Sequence, residues 1–164
     1  MNRDNPRIEI SLANQTLRLI AAGDVIKQYP VSTAKKGAGE TMDSECTPRG
    51  KHLIAEKIGA NCEINSVFVG RMASGEIYEP KLRQMELDRD WVLTRILWLR
   101  GAEPGRNLDG KVDSYNRYIY LHGTPDDVDI NVPGSHGCIR LRNTDIIDLF
   151  DRVEEGTVVT ITED

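Results

Sequence analysis

The sequence predicts a mostly β, largely antiparallel domain of the sandwich or barrel kind, with one clear helix near its C-terminal end. Three observations lead there. Short apolar–polar alternations recur from residue 8 onward, divided by Gly, Asn and Asp at spacings too short for βαβ units. Only the stretch 143–153 repeats its apolar residues at helical spacing. No internal repeat is present, and 164 residues suit one domain (1–164) around a single core.

Ile8, Ile10 and Leu12 alternate with Glu9 and Ser11, the mark of a half-buried strand. Asn14-Gln15 turns the chain into a second strand over 16–20, and Ala22-Gly23-Asp24 into a third over 25–31, giving a meander. The glycine-rich run 35–40 is a polar loop without the strand and helix that a phosphate-binding loop needs. Thr47-Pro48-Arg49-Gly50 predicts a tight turn before a strand over 51–58, in which His52 is structural. A further strand covers 66–70.

Residues 71–90, charged and divided by Gly75 and Pro80, are expected to form a lid-like insertion with one helical turn. Residues 91–99 make a strongly apolar, buried strand whose Trp91 and Trp98 serve as core or pocket wall. The loop 101–114 leads into a strand over 115–121 that delivers His122 to its end. Asn143 or Thr144 caps the helix, and Asp145 lies in its first turn, where negative charge is favoured. Ile146, Leu149, Phe150 and Val153 share one face, and Gly156 is the expected C′ residue. A strand over 157–162 closes the chain.

Apolar residues at 39% and charged residues at 29% describe a soluble, globular chain, and no apolar run reaches the length of a membrane span. A net charge of −5 without a basic tract or aromatic ladder argues against a nucleic-acid partner. Cys46, Cys62 and Cys138 cannot all pair within one chain, which suits a reducing compartment and at least one free thiol. Residues 1–6 are polar, with no apolar stretch of an export signal. The expected location is the cytoplasm if Met1 is the natural start, and the periplasm if a leader has been removed.

The chemistry gathers in Ser135-His136-Gly137-Cys138-Ile139-Arg140 and, upstream, Leu121-His122-Gly123-Thr124. Cysteine attacks as thiolate, so it needs a base or positive surroundings. His122 and His136 offer the first, Arg140 and Arg142 the second. Gly137 leaves backbone N–H groups uncovered beside the thiol, where they could face an oxyanion. Three readings compete on these residues: a nucleophilic Cys enzyme, a zinc site aided by Asp126, Asp127 or Asp129, or a Cys and two histidines that only pack. Spacing does not decide which histidine would be the base.

The two segments resemble the L,D-transpeptidase catalytic domain (YkuD-type) family. Its mark is His-Gly, a variable spacer, then Ser/Thr-His-Gly-Cys, an apolar residue and Arg or Asn. Here these are His122-Gly123, a shortish spacer 124–134, and residues 135–140; Thr47-Pro48-Arg49-Gly50 is a second, weaker match. The resemblance covers residues 7–162. It implies a two-sheet β-sandwich with the helix behind the catalytic strand.

For the site, the resemblance implies Cys138 as the nucleophile that forms a thioester and His122 as base, oriented by the Gly123 carbonyl. His136 would shape the site, and the N–H groups of Gly137 and Cys138 would form the oxyanion hole. Arg140 would fix the thiol loop or bind a substrate carboxylate, and Ser135 would hold the loop. No cofactor or metal is expected. The implied substrate is the peptidoglycan stem peptide, cut before its terminal D-alanine. Water as acceptor makes an L,D-carboxypeptidase of recycling, the favoured expectation; a stem amine makes an L,D-transpeptidase forming 3-3 cross-links, the alternative. Carbapenem-type inhibitors are expected to acylate Cys138, and no membrane partner is expected. Loops 71–90 and 101–114 are expected to wall the thiol, with Arg100 or Arg106 holding a donor carboxylate.

Overall fold

The alternation at the start of the chain folds as a meander in the computed structural model, which describes residues 5–164. Residues 1–4 of the polar start lie outside the described residues. Strands β1 (Arg7–Ser11), β2 (Thr16–Ala21) and β3 (Asp24–Pro30) pair antiparallel in order. Ile8, Ile10, Leu17 and Leu19 are buried on one face, while Arg18 is exposed on the other, as a period of two requires.

β1 then pairs in parallel with the closing strand β10 (Val158–Thr162), which pairs with β4 (Gly50–Ile58), and β4 with β7 (Val92–Gly101). β7 organises the rest. One of its edges takes β4 and β5 (Ser66–Val69); the other takes β8 (Tyr120–Gly123), which pairs in parallel with β9 (Ile139–Leu141). β6 (Met72–Ile77) makes a hairpin with β5. The fold is mostly β as expected. The layers are hydrogen-bonded through as one mixed sheet, with two parallel pairs among the antiparallel ones.

Bulges in β4 at Ile54/Glu56 and in β7 at Leu93/Ile96 bend the sheet over a shared core. Ile8 and Leu17 from one end meet Leu121 and Ile139 from the other. Helix α2 (Asn143–Arg152) closes the core with Ile146, Leu149 and Phe150, and Val153 follows on the same face. Each side chain so buried contributes about 1.5–3 kcal/mol. Leu149→Ala alone would cost about 2–5 kcal/mol, since a cavity is left behind.

Several local expectations are corrected. Arg142 stands at the N-cap of α2, and Asn143 turns its side chain to Thr94, Asn65 and Thr124 instead of capping. Gly156 lies beyond the helix in a separate turn, its N–H donating to the Ile54 carbonyl. Residues 71–90 hold β6 and a short helix α1 (Pro80–Met85), started by a proline whose φ suits the first helical position. Thr47-Pro48-Arg49-Gly50 forms no hydrogen-bonded turn: Thr47 bridges to Ala38, Arg49 reaches Glu40, and Gly50, at φ +100°, opens β4. The strand into His122 begins only at Tyr120. Upstream, Asp113 accepts the N–H groups of Asp109 and Asn116 and keeps the chain turning.

Candidate active site

Parallel pairing of β8 with β9 sets the geometry. His122 lies opposite Arg140, so Tyr120 and Cys138, two residues earlier on each segment, fall on the same face. The alternate residues Leu121, Ile139 and Leu141 point into the core. Tyr120 packs with Phe68, Ile96 and Trp98, and Cys138 lies half-buried against that group.

The Cys138 thiol donates to the Tyr118 carbonyl and accepts from the Tyr120 N–H, both at 3.3 Å. Burial pushes this thiol up to about 12, with Asp90 acting in the same direction, against the Tyr120 N–H, Arg140 and Arg117. His122 is fully buried. Its Nδ1 lies 2.7 Å from the Gly123 carbonyl, which can only accept, so Nδ1 carries the proton and Nε2 the lone pair. That Nε2 is buried and has no partner among the described residues. Desolvation pushes the imidazole down, against the pull of Asp90 and the Gly123 carbonyl. The resting pair is therefore a neutral thiol and a neutral imidazole. Gly123 itself admits no side chain: a Cβ would stand 2.3 Å from Asn143 Oδ1 and 2.7 Å from the Leu93 carbonyl.

The thiol loop is braced from several sides. Ser135 Oγ donates to the Cys138 carbonyl at 2.6 Å and accepts from the Gly137 N–H at 3.2 Å. Gly137 takes φ +133°, which favours glycine. Its carbonyl accepts from Thr47 Oγ1 at 2.9 Å, and Thr47 Oγ1 in turn accepts from the Ala34 N–H. Arg140 donates to the Gly134 carbonyl at 3.0 Å and pairs with Asp90 at 3.2 Å. Burial works against the Asp90 carboxylate, yet the charge and hydrogen bond of Arg140 hold it below its usual range.

The YkuD family model, described as the L,D-transpeptidase catalytic domain, matches residues 5–161. The chain belongs to this family. It is 26% identical over 157 residues to a putative L,D-transpeptidase YkuD of Bacillus licheniformis, covering 95% of this chain and 65% of that relative. It is 38% identical over 85 residues to a probable L,D-transpeptidase ErfK/SrfK of Salmonella typhimurium, covering 44% and 28%. In fold it is similar to an L,D-transpeptidase from Xylanimonas cellulosilytica, with TM-score 0.60 and 19% identity over 98% of this chain and 62% of that one. It is similar too to LdtMt1 in complex with imipenem, with TM-score 0.57 and 19% identity over 97% and 59%. The chain thus spans less than two thirds of the length of these relatives.

The residues of the family mark lie along the paired ends of β8 and β9, with Ile139 turned into the core. Cys138, His122, Gly123, Ser135, Gly137 and Arg140 are linked as described, and His136 is exposed at the rim. The Gly137 N–H, expected to face an oxyanion, points to Ser135 instead. Two of the three Asp residues weighed as zinc ligands are engaged elsewhere: Asp126 accepts from Asn143, and Asp127 from Tyr78 and Arg83. Among the described residues no three His, Cys, Asp or Glu side chains form a metal-holding group.

The walls differ from expectation. Loop 101–114 folds back on the start of β4, with Ala102 donating to Lys51 and Asn107 to Arg49 and Lys51. Arg106 there pairs with Glu103. The thiol is flanked by the turn 115–119 and by the two ends of 71–90, Arg71 and Asp90. Sequence reasoning missed Thr47, Asp90, Arg117, Tyr118, Tyr120 and Arg71. The Thr-Pro-x-Gly match was a signal for Thr47; nothing in the sequence marked the others.

Proposed function

We propose that the protein is a cysteine acyl-transfer enzyme acting on peptidoglycan stem peptides, as an L,D-carboxypeptidase that releases the terminal D-alanine. The observation that carries the chemistry is the buried, unpartnered Nε2 of His122, on the sheet face that also bears Cys138. As the scissile carbonyl meets the sulfur, Nε2 takes the thiol proton, the S–C bond forms and the carbonyl oxygen becomes an oxyanion. The Gly123 carbonyl and the Asp90 charge favour the imidazolium that results. The Cys138 N–H has no acceptor among the described residues and is the donor left for the oxyanion. Collapse breaks the C–N bond, and His122 protonates the departing amine of D-alanine. Water, deprotonated by the same Nε2, then opens the thioester and restores the thiol.

The acceptor decides between the two outcomes. His122 is fully buried, which favours a small acceptor, and water attacks without a second stem being ordered beside the thiol. The same reading expects soluble stem fragments in the cytoplasm as substrate. The likeness to L,D-transpeptidases favours a second reading, transfer to a stem amine with a 3-3 cross-link. A fold neighbour was solved with imipenem, so a carbapenem is expected to acylate Cys138 here.

Mass spectrometry of the purified protein with disaccharide tetrapeptide, with and without an acceptor stem, tests both readings. Tripeptide plus D-alanine supports hydrolysis, and dimer as main product promotes the second reading. No D-alanine release, with no carbapenem adduct on wild type, overturns both.

A further inference from the structure

We propose that Arg71 reads the free C-terminal carboxylate of the substrate and so makes the enzyme an exopeptidase; this rests on the acyl-transfer reading above. Gly70 and Arg71 form the two-residue turn between the paired Val69 and Met72, at φ +55° and +67°. Two positive φ values are the pattern of a tight hairpin turn that favours Asn and Gly, so the arginine has no conformational reason to be there.

Its side chain lies over an aromatic group beside the thiol. The guanidinium carbon stands 4.6 Å from the ring centre of Tyr118 and 5.2 Å from that of Trp98, and Nη1 donates to Tyr120 Oη at 3.2 Å. Trp98 is itself fixed, stacked on Tyr115 at 3.9 Å and donating through its indole to the Tyr115 carbonyl. Tyr118 and Tyr120 are also the residues whose backbone groups hold the Cys138 sulfur. Guanidinium and thiol therefore share the same two neighbours, one through side chains and one through backbone.

The other arginines near the thiol are engaged. Arg140 holds the Gly134 carbonyl and Asp90, and Arg117 holds the Gly39 and Cys46 carbonyls and Ser44 Oγ. Arg71 uses one of its five N–H donors and has no carboxylate within 4.0 Å among the described residues. A cation over aromatic faces with an open fork is a bidentate carboxylate receptor. The substrate carboxylate nearest the scissile bond is that of the terminal D-alanine, one residue away. Arg140, expected as a carboxylate binder, is a loop brace on this account.

The test titrates Cys138→Ala protein calorimetrically with the tetrapeptide stem as free acid and as C-terminal amide, with and without Arg71→Gln. The acid should bind roughly 10–100-fold tighter than the amide, and Arg71→Gln should weaken the acid by that factor and level the two ligands. In the active enzyme Arg71→Gln should raise KM by a similar factor with kcat within a few-fold, and Arg71→Lys should restore part of the loss. Acid–amide discrimination that survives Arg71→Gln overturns the proposal. So does an equal loss for acid and amide, which would mean a carboxylate elsewhere in the stem, or packing alone. If wild type releases no D-alanine while the discrimination still depends on Arg71, the carboxylate assignment stands and the carboxypeptidase reading falls.

Discussion

The loop that carries Cys138 and the hairpin that carries Arg71 flank one thiol and are held in opposite ways. Residues 134–140 are ringed by buried polar bonds from Ser32, Thr33 and Thr47, with Ser135 bridging two points of the loop itself. Residues 69–89 carry Val69, Met72, Met85 and Leu87 at 57–79% exposure, and are tied to the rest by one buried ring, Tyr78 against Trp91, and by exposed ion pairs such as Arg83–Asp127. Exposed pairs contribute about 0–1 kcal/mol each, whereas a buried polar group left unsatisfied costs about 1–3 kcal/mol. The thiol loop is held by bonds that are expensive to break, whereas the exposed hairpin tip that carries Arg71 is held by little burial.

The largest effect should come from breaking the rigid side at its reacting atom. Cys138→Ala should abolish turnover and carbapenem labelling while shifting Tm by only a few degrees, as intact mass and calorimetry would show. Cys46→Ala and Cys62→Ala should keep activity, since both thiols lie outside the Cys138–His122 pair. D-alanine release by Cys138→Ala at the normal rate would end the nucleophile assignment.

Next comes a brace. Thr47→Val keeps the shape but leaves the Gly137 carbonyl and the Ala34 N–H without their buried partner. Two such groups cost about 2–6 kcal/mol together, roughly 5–20 °C in Tm for a chain of this size. kcat should fall as well, because Gly137 adjoins the nucleophile. A Thr47→Val protein with wild-type Tm and kcat would show that the loop holds itself.

How far the sequence revealed these two regions follows from where the information lies. Strands and α2 were legible because burial imposes periods of two and 3.6 on the residues themselves, as in Ile8/Ile10 and Ile146/Leu149/Phe150/Val153. The mark at 122–123 and 135–140 was legible because it is local. Asp90, Arg71 and Arg117 were not, for their partners lie far along the chain: Asp90 meets Arg140, Arg71 meets Tyr118 and Tyr120, and Arg117 meets Cys46. The hairpin was hidden for another reason. β6 exposes nearly all of its residues, so no alternation betrays it. Asn143 looked like a cap because Asn favours that position, but burial against Thr94 and Thr124 overrode the local preference.

Acid acts on two fully buried histidines, His52 at the start of β4 and His122 beside the thiol loop. His52 donates from Nδ1 to the Gly50 carbonyl and accepts Ser114 Oγ at Nε2, and burial pushes it down to about 4. The unfolded chain, with an ordinary histidine near 6.5, takes up the proton first as pH falls. Stability is therefore full above 6.5 and declines toward pH 4 by about 3 kcal/mol. Urea midpoints between pH 7 and 4 should fall, and fall less in His52→Gln. For catalysis, His122 must be neutral to act as base, and burial keeps it so. kcat/KM should hold level from pH 7 upward and drop only in acid, with no thiol limb before about pH 9. Iodoacetamide should label resting Cys138 slowly at pH 7, because the thiol is pushed up to about 12.

The smallest effect should come from the loosely held side. Leu87 follows α1 and is 79% exposed, so about a fifth of its side chain gains from folding. Full burial of a leucine contributes about 1.5–3 kcal/mol, which scales here to about 0.5 kcal/mol. Leu87→Ser removes that and leaves no cavity, because water already occupies the space around it. Tm should shift by about 1–2 °C and kcat should be unchanged, since no bond from Leu87 reaches the thiol. Calorimetry and D-alanine release on the same preparation would check both. A Tm loss matching that of Thr47→Val would show residues 69–89 to be as firmly built as the thiol loop, and the contrast between the two flanks would be gone.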